Sequence, residues 1–191
     1  MRPVLPISVL LLSAIAQALP PGVAELAARL ARRPAFECDF VQDRSLPGLR
    51  APLRSSGIFR MEPGEKASWI QRRPVEQTIL LRRDGMELKR PDGTTQKLSS
   101  SAPVAGEIAR ALFALSQGDI EGLSRTFDVA WVRRGEKDWS LKLSPLGAAK
   151  AAFRDIVLSG GADLRSILLT DSQGLPTRIE FGAARAPGEA R

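Results

Sequence analysis

"SAPVAGEIARALFALSQGDIEGLSRTF", residues 101–127, breaks a pattern that is otherwise that of β-strands. Ile108, Ala111, Leu112 and Leu115 fall at i, i+3, i+4 and i+7, the apolar stripe of an amphipathic helix. Pro103 suits its first turn and Gly118 its end. Asp119 then stands where it can cap a shorter helix over Ile120–Arg125. A helix set among strands must lie on a sheet or close an opening, because a sheet with one apolar face has to cover it.

Upstream, "VAELAARLARR" (Val23–Arg33) puts Val23, Leu26, Ala27 and Leu30 at helical spacing, between prolines at 20, 21 and 34. From Phe36 the period is two. Phe36, Cys38 and Phe40 share one side, as do Phe59 and Met61 in "SSGIFRM". "KASWIQRRP" carries Trp69, and "VEQTILLRR" carries Ile79 and Leu81 on one face. Asp84-Gly85 and Asp92-Gly93 are hairpin signals. Downstream, Phe127, Val129 and Trp131 alternate, then Trp139, Leu141 and Leu143. A last hairpin turns at Asp171–Gly174, and its final strand points Thr177, Ile179 and Phe181 one way, Arg178 and Glu180 the other. The outline is a helix, about six strands, two helices and about five strands. A sheet of about ten strands must curl.

The chain has 191 residues, 26% of them charged, which suits one globular domain. Its first residues are a basic start at Arg2, an apolar run from Val4 to Ile15 and the small-x-small site Ala16-Gln17-Ala18. This is the pattern of a secretory signal over 1–18, cleaved after Ala18, and the run is shorter than the ~20 residues a spanning helix needs. The expected location is the periplasm. The tail, 183–191, is rich in Ala, Arg and Gly and is expected to be flexible.

Much chemistry is missing. There is no histidine and only one cysteine, so no zinc constellation and no internal disulfide can form. Cys38 reads as a small buried apolar residue. No nucleophile elbow or phosphate-cradling loop occurs. Glu37 and Asp39 share a strand face opposite Phe36 and Phe40, and read as a solvated outer surface. No enzyme, metal or cofactor is expected. The net charge of +7 suits anionic surfaces or ligands. The basic residues are not clustered, and export argues against nucleic acid. The Arg-Arg pairs at 32–33, 72–73, 82–83 and 133–134 read as solvated strand ends.

The order and spacing of "FECDFVQDR", "GIFRMEPGEKASW" (with Gly57 and Trp69), "RPVEQTILLRRDGMEL" (with Pro74, Asp84 and Gly85) and "ILLTDSQGLPTRIEF" resemble the LolA-like outer-membrane lipoprotein carriers over residues 19–182. That resemblance implies an α+β fold, an unclosed and strongly curved antiparallel β-barrel of about 10–11 strands, with helices covering its open concave side. It implies a monomer that carries a lipoprotein or other lipid between an inner-membrane releasing or export complex and an outer-membrane acceptor. It also implies an apolar cavity for acyl chains, walled by Phe40, Phe59, Met61, Trp69, Ile79, Leu81, Trp131, Leu141, Ile179 and Phe181. Ile108, Leu112 and Leu115 would form a movable lid.

The family's archetypal carriers hold the lid with an arginine just before a proline. Here Glu62 precedes Pro63 and Arg60 lies two residues earlier, so both are lid-lock candidates. The short stretch after Phe181 leaves little room for the family's C-terminal extension. The competing expectation is a non-catalytic module that senses lipid or protein in an envelope export or stress system.

Overall fold

The computed structural model describes residues 22–189 except 64, 83–84, 99–110, 112, 116, 118 and 134–137. The segment read as a signal (1–18), Asp84, Pro103, Ile108, Leu112 and Gly118 lie outside the described residues. Strands of period two form where the sequence alternates: β1 (Phe36–Arg44), β2 (Leu53–Glu62), β3 (Lys66–Arg73), β4 (Gln77–Arg82), β5 (Gly85–Lys89) and β6 (Thr95–Leu98). The helical stretch follows, and then β7 (Phe127–Arg133), β8 (Trp139–Pro145), β9 (Phe153–Gly160), β10 (Leu164–Asp171) and β11 (Pro176–Phe181). Helices α1 (Val23–Ala31) and α2 (Ile120–Thr126) flank them in the chain.

The eleven strands make one antiparallel sheet in the order β6-β5-β4-β3-β2-β1-β11-β10-β9-β8-β7. Only one neighbouring pair is distant in sequence: β1 with β11, where Phe40 faces Phe181 and Arg44 faces Thr177. That pairing folds a linear meander into a curved wall and leaves β6 and β7 as its free edges. Those edges are joined in the chain by residues 99–126, of which 99–110, 112, 116 and 118 lie outside the described residues. Residues 111 and 113–115 are helical, and α2 follows at Ile120. Asp119 caps α2, its Oδ1 accepting from the Gly122 amide at 2.8 Å.

The turns obey local chemistry. In the β5–β6 hairpin Asp92 Oδ1 accepts from the Thr94 amide and hydroxyl at 2.8 and 2.6 Å, and Gly93 takes φ +85°. In the last hairpin Asp171 Oδ1 accepts from the amides of Gln173 and Leu175, both at 2.9 Å, with Gly174 at φ +84°. Gly57 answers a different need. A methyl placed there would collide with the Ile70 carbonyl oxygen of the neighbouring strand. The β2–β3 register slips beside it, between Ser56 and Gly57, so the sheet bends where no side chain obstructs it.

The inner face is the core. Phe40, Trp69, Ile79, Leu141, Ile156, Leu158, Ile167, Leu169 and Ile179 are buried there. Val23, Leu26 and Ala27 of α1, with Leu115 and Leu123, join the same cluster from the helical side.

Candidate functional site

The inward side chains of β1, β2 and β11 meet in an aromatic group at one end of the barrel, here called the α1 end. Phe59 contacts Phe36, Trp69 and Phe181 with ring centroids 6.3, 5.9 and 5.9 Å apart. Phe40 lies against Trp69 at 4.1 Å. Each faces inward because it occupies the same parity as its cross-strand neighbour: Cys38 pairs with Phe59, and Phe59 with Trp69.

Next to this group is a cavity of about 50 Å³. Phe36, Cys38, Phe59, Met61, Leu158 and Phe181 wall it on the sheet side, and Leu30 and Leu115 on the helical side. Its lining is apolar except at the rim, where Arg33 pairs with Asp163 and lies 5.1 Å from the Phe36 ring centroid. Burial pushes the Cys38 thiol up to about 12, so it is a neutral wall residue at physiological pH.

Of the predicted cavity residues, Phe59, Met61, Leu115 and Phe181 border this space. Phe40, Trp69, Ile79, Leu81, Leu141 and Ile179 lie in the continuous buried cluster around it. Trp131 is half-buried and stacks on Trp139, 6.2 Å away at 10°, beside Gly22 at the start of α1. Apolar wall residues outside the predicted cavity set include Leu30, Phe36, Cys38, Trp139, Leu158 and Leu164. Leu30 was legible as part of the apolar stripe of α1, and Phe36, Cys38 and Trp139 from alternation, whereas β9, which carries Leu158, had ambiguous facing and Leu164 opens β10.

The cover is held mainly by apolar packing. Among the described residues two polar links tie α1 and the residues just after it to the barrel, Arg29 to the Gly161 carbonyl at 3.1 Å and Arg33 to Asp163. Both lie toward its C-terminal end. Arg33 is therefore a partnered rim residue, and the reading of the 32–33 pair as solvated is corrected for it.

The outer face holds a second surprise. Glu37 is only 4% exposed, not solvated. Arg60 donates to its Oε2 from Nε and Nη2 at 3.1 and 2.7 Å, and Arg185 approaches Oε1 at 3.2 Å. Arg185 also reaches Asp39 at 3.2 Å. The hydrogen bonds from Arg60 hold the Glu37 carboxyl below the usual carboxylate range against the opposing effect of burial. The tail beyond Gly182 supplies this partner. Glu37 and Arg185 exchange backbone hydrogen bonds, each at 2.9 Å, so Arg185 bridges to β1. Arg60 is thus committed to Glu37 on the face opposite Phe59 and Met61, and Glu62 pairs with Lys66 at 3.2 Å.

Residues 15–190 match the family described as outer membrane lipoprotein carrier protein LolA-like. The chain belongs to that family. Its members are binding and carrier proteins. The fold is that of a LolA superfamily protein from Nitrosomonas europaea, with TM-score 0.51 and 11% identity over 88% of this chain and 94% of that one. The MucA/MucB complex structure from Pseudomonas aeruginosa also resembles it, with TM-score 0.49 and 17% identity over 87% of this chain and 59% of that one. No curated protein matches the sequence. Among the described residues, no helix of this LolA-like protein is long and apolar enough to cross a membrane, and no group of three His, Cys, Asp or Glu could hold a metal ion.

Proposed function

We propose that this LolA-like protein is a periplasmic carrier that takes the acyl chains of a lipoprotein or another lipid between its sheet and its helices. On this reading it is exported by its N-terminal signal, receives cargo from an inner-membrane complex and yields it to an outer-membrane acceptor. The observation that carries the reading is the apolar cavity under a cover that shares no β-ladder with the wall. A cover held by side-chain packing can lift while every strand pairing stays intact.

Magnitudes say that it must lift. A cavity of about 150 Å³ is what holds a benzene-sized guest, and the closed space here is 50 Å³. Burying a sixteen-carbon chain is worth ~12 kcal/mol at ~0.8 kcal/mol per CH₂. Exposing the apolar side chains of α1 costs roughly 5 kcal/mol at about 1.5–3 kcal/mol for each large one. Uptake from water is then favourable. The tendency of the cover to close lowers the net hold, which lets an acceptor remove the cargo.

The test is mass spectrometry of the protein purified from its own envelope, first intact and then after solvent extraction, together with titration by a fluorescent acyl probe. A stoichiometric acylated species and saturable probe uptake are expected. A clean unliganded mass with no uptake would make the apolar set a filled core and return the protein to the sensing or interaction reading.

A further inference from the structure

Successive strands run up and down, so every loop belongs to one of two rims. The α1 end carries the cavity. At the opposite rim lie the β5–β6 turn (90–94), the β3–β4 loop (74–76), the β1–β2 loop (45–52), the β10–β11 turn (172–175) and the β8–β9 loop (146–152), in that order around the wall. Of five large apolar side chains exposed among the described residues, four stand here: Val75 at 64%, Leu49 at 58%, Leu53 at 46% and Leu146 at 39%. A cleft of about 360 Å³ with a mixed lining, Arg44, Asp171 and Gln173 beside Leu46, Phe153 and Leu175, joins the β1–β2 loop to the β8–β9 loop.

The same rim is basic. Arg44, Arg50, Arg72, Arg73, Lys150 and Arg154 stand on it, and among the described residues none of them forms an ion pair. It also carries carboxylates, among them Glu76 in the β3–β4 loop. Asp43 is held by Arg54 at 2.7 and 2.8 Å, and Asp171 accepts from its own turn. At the α1 end, by contrast, Arg33, Lys66 and Arg165 pair with Asp163, Glu62 and Asp138.

We propose that this rim docks the protein on the surface of an anionic phospholipid bilayer. Leu49, Leu53, Val75 and Leu146 enter the interfacial layer, and the unpaired guanidinium groups meet headgroup phosphates. Apolar tips on separate loops form no single surface to match a folded partner. A fluid headgroup layer accepts scattered tips, and its negative charge complements the cationic rim. Docking does not depend on what fills the cavity, which lies at the other end of the barrel. The two readings therefore fail separately.

The experiment is co-sedimentation of the protein, as purified from cells, with vesicles of phosphatidylcholine alone and of phosphatidylcholine with phosphatidylglycerol. Partitioning onto the anionic vesicles only, weakened by salt, is expected. R72E/R73E should lower it at least tenfold, at about fivefold per basic residue near an anionic surface. L49S/V75S, at exposed sites that leave the fold intact by circular dichroism, should lower it about fivefold. R32E/R165E, an equal charge change at the α1 end, should lower it less than twofold. Binding that ignores headgroup charge, or an equal loss in the rim and control pairs, would overturn the proposal. So would failure to bind either vesicle.

Discussion

The two ends of this barrel are built from the same strands and answer opposite demands. At the α1 end Phe36, Phe59, Trp69 and Phe181 turn inward, and the charged residues around them pair with one another. At the far end leucine and valine side chains face water on a rim whose Arg44, Arg50, Arg72, Arg73 and Arg154 form no ion pair among the described residues. Strand pairing is equally regular at both, so the difference lies in what the loops carry. One end encloses an apolar space, and the other presents apolar and cationic groups outward.

Substitutions can break or sharpen that contrast. The largest loss should come from F59A, which removes a ring touching three others: about 3–5 kcal/mol, read by chemical denaturation. The cavity should grow and acyl-probe uptake should persist. A loss under about 1 kcal/mol would mean that the aromatic group is loosely packed. Next is E37A, which leaves Arg60 and Arg185 without their shared carboxylate. Fully buried pairs lose about 3–5 kcal/mol when one partner is removed. Arg60 is 35% exposed and Arg185 19%, so water can partly replace Glu37. About 2 kcal/mol is expected, or roughly 4–8 °C in Tm for a chain of this size.

The same residue gives a pH signature. Its pKa is lowered on folding, so its contribution is fully present above the ordinary glutamate value of about 4.3 and is lost as pH falls through the lowered folded value. Denaturation midpoints of E37Q should therefore depend less on pH across that acid window than those of the parent chain. Equal slopes would show that other carboxylates dominate. D119A comes third, at about 1 kcal/mol for a lost cap, and should leave the sheet's circular dichroism unchanged. Smallest is L49S at the far rim, within about 0.5 kcal/mol of the parent. A larger destabilisation there would show that Leu49 supports the fold, and the contrast between the ends would weaken.

Much of the wall was legible. Alternation placed Phe40, Phe59, Trp69, Ile79 and Ile179 on the inner face, and all are buried. The Asp-Gly signal at 92–93 and the turn at 171–174 mark their hairpins because a short acidic side chain and a glycine satisfy a turn within a few residues. Glu37 was misread for the converse reason. Alternation gives the face of a residue but not what lies on that face. Its cover, Arg185, stands far away in sequence, on a segment whose composition suggested no structure. Leu158 and Leu164 were missed because a run with apolar residues at both parities leaves facing undecided until its neighbours are known.

The sequence alone determined the period of each element, the turns between neighbouring strands, the cap of α2 and the absence of histidine. These follow from contacts a few residues apart. Tertiary structure decided the β1–β11 closure, the pairing of Arg33 with Asp163, the burial of Glu37 beneath the chain's end and the small volume left under the cover. It also gathered the exposed leucines and arginines of separate loops at one rim. Each of these joins groups whose separation in the chain carries no local pattern, and only the curvature of the whole sheet brings them together.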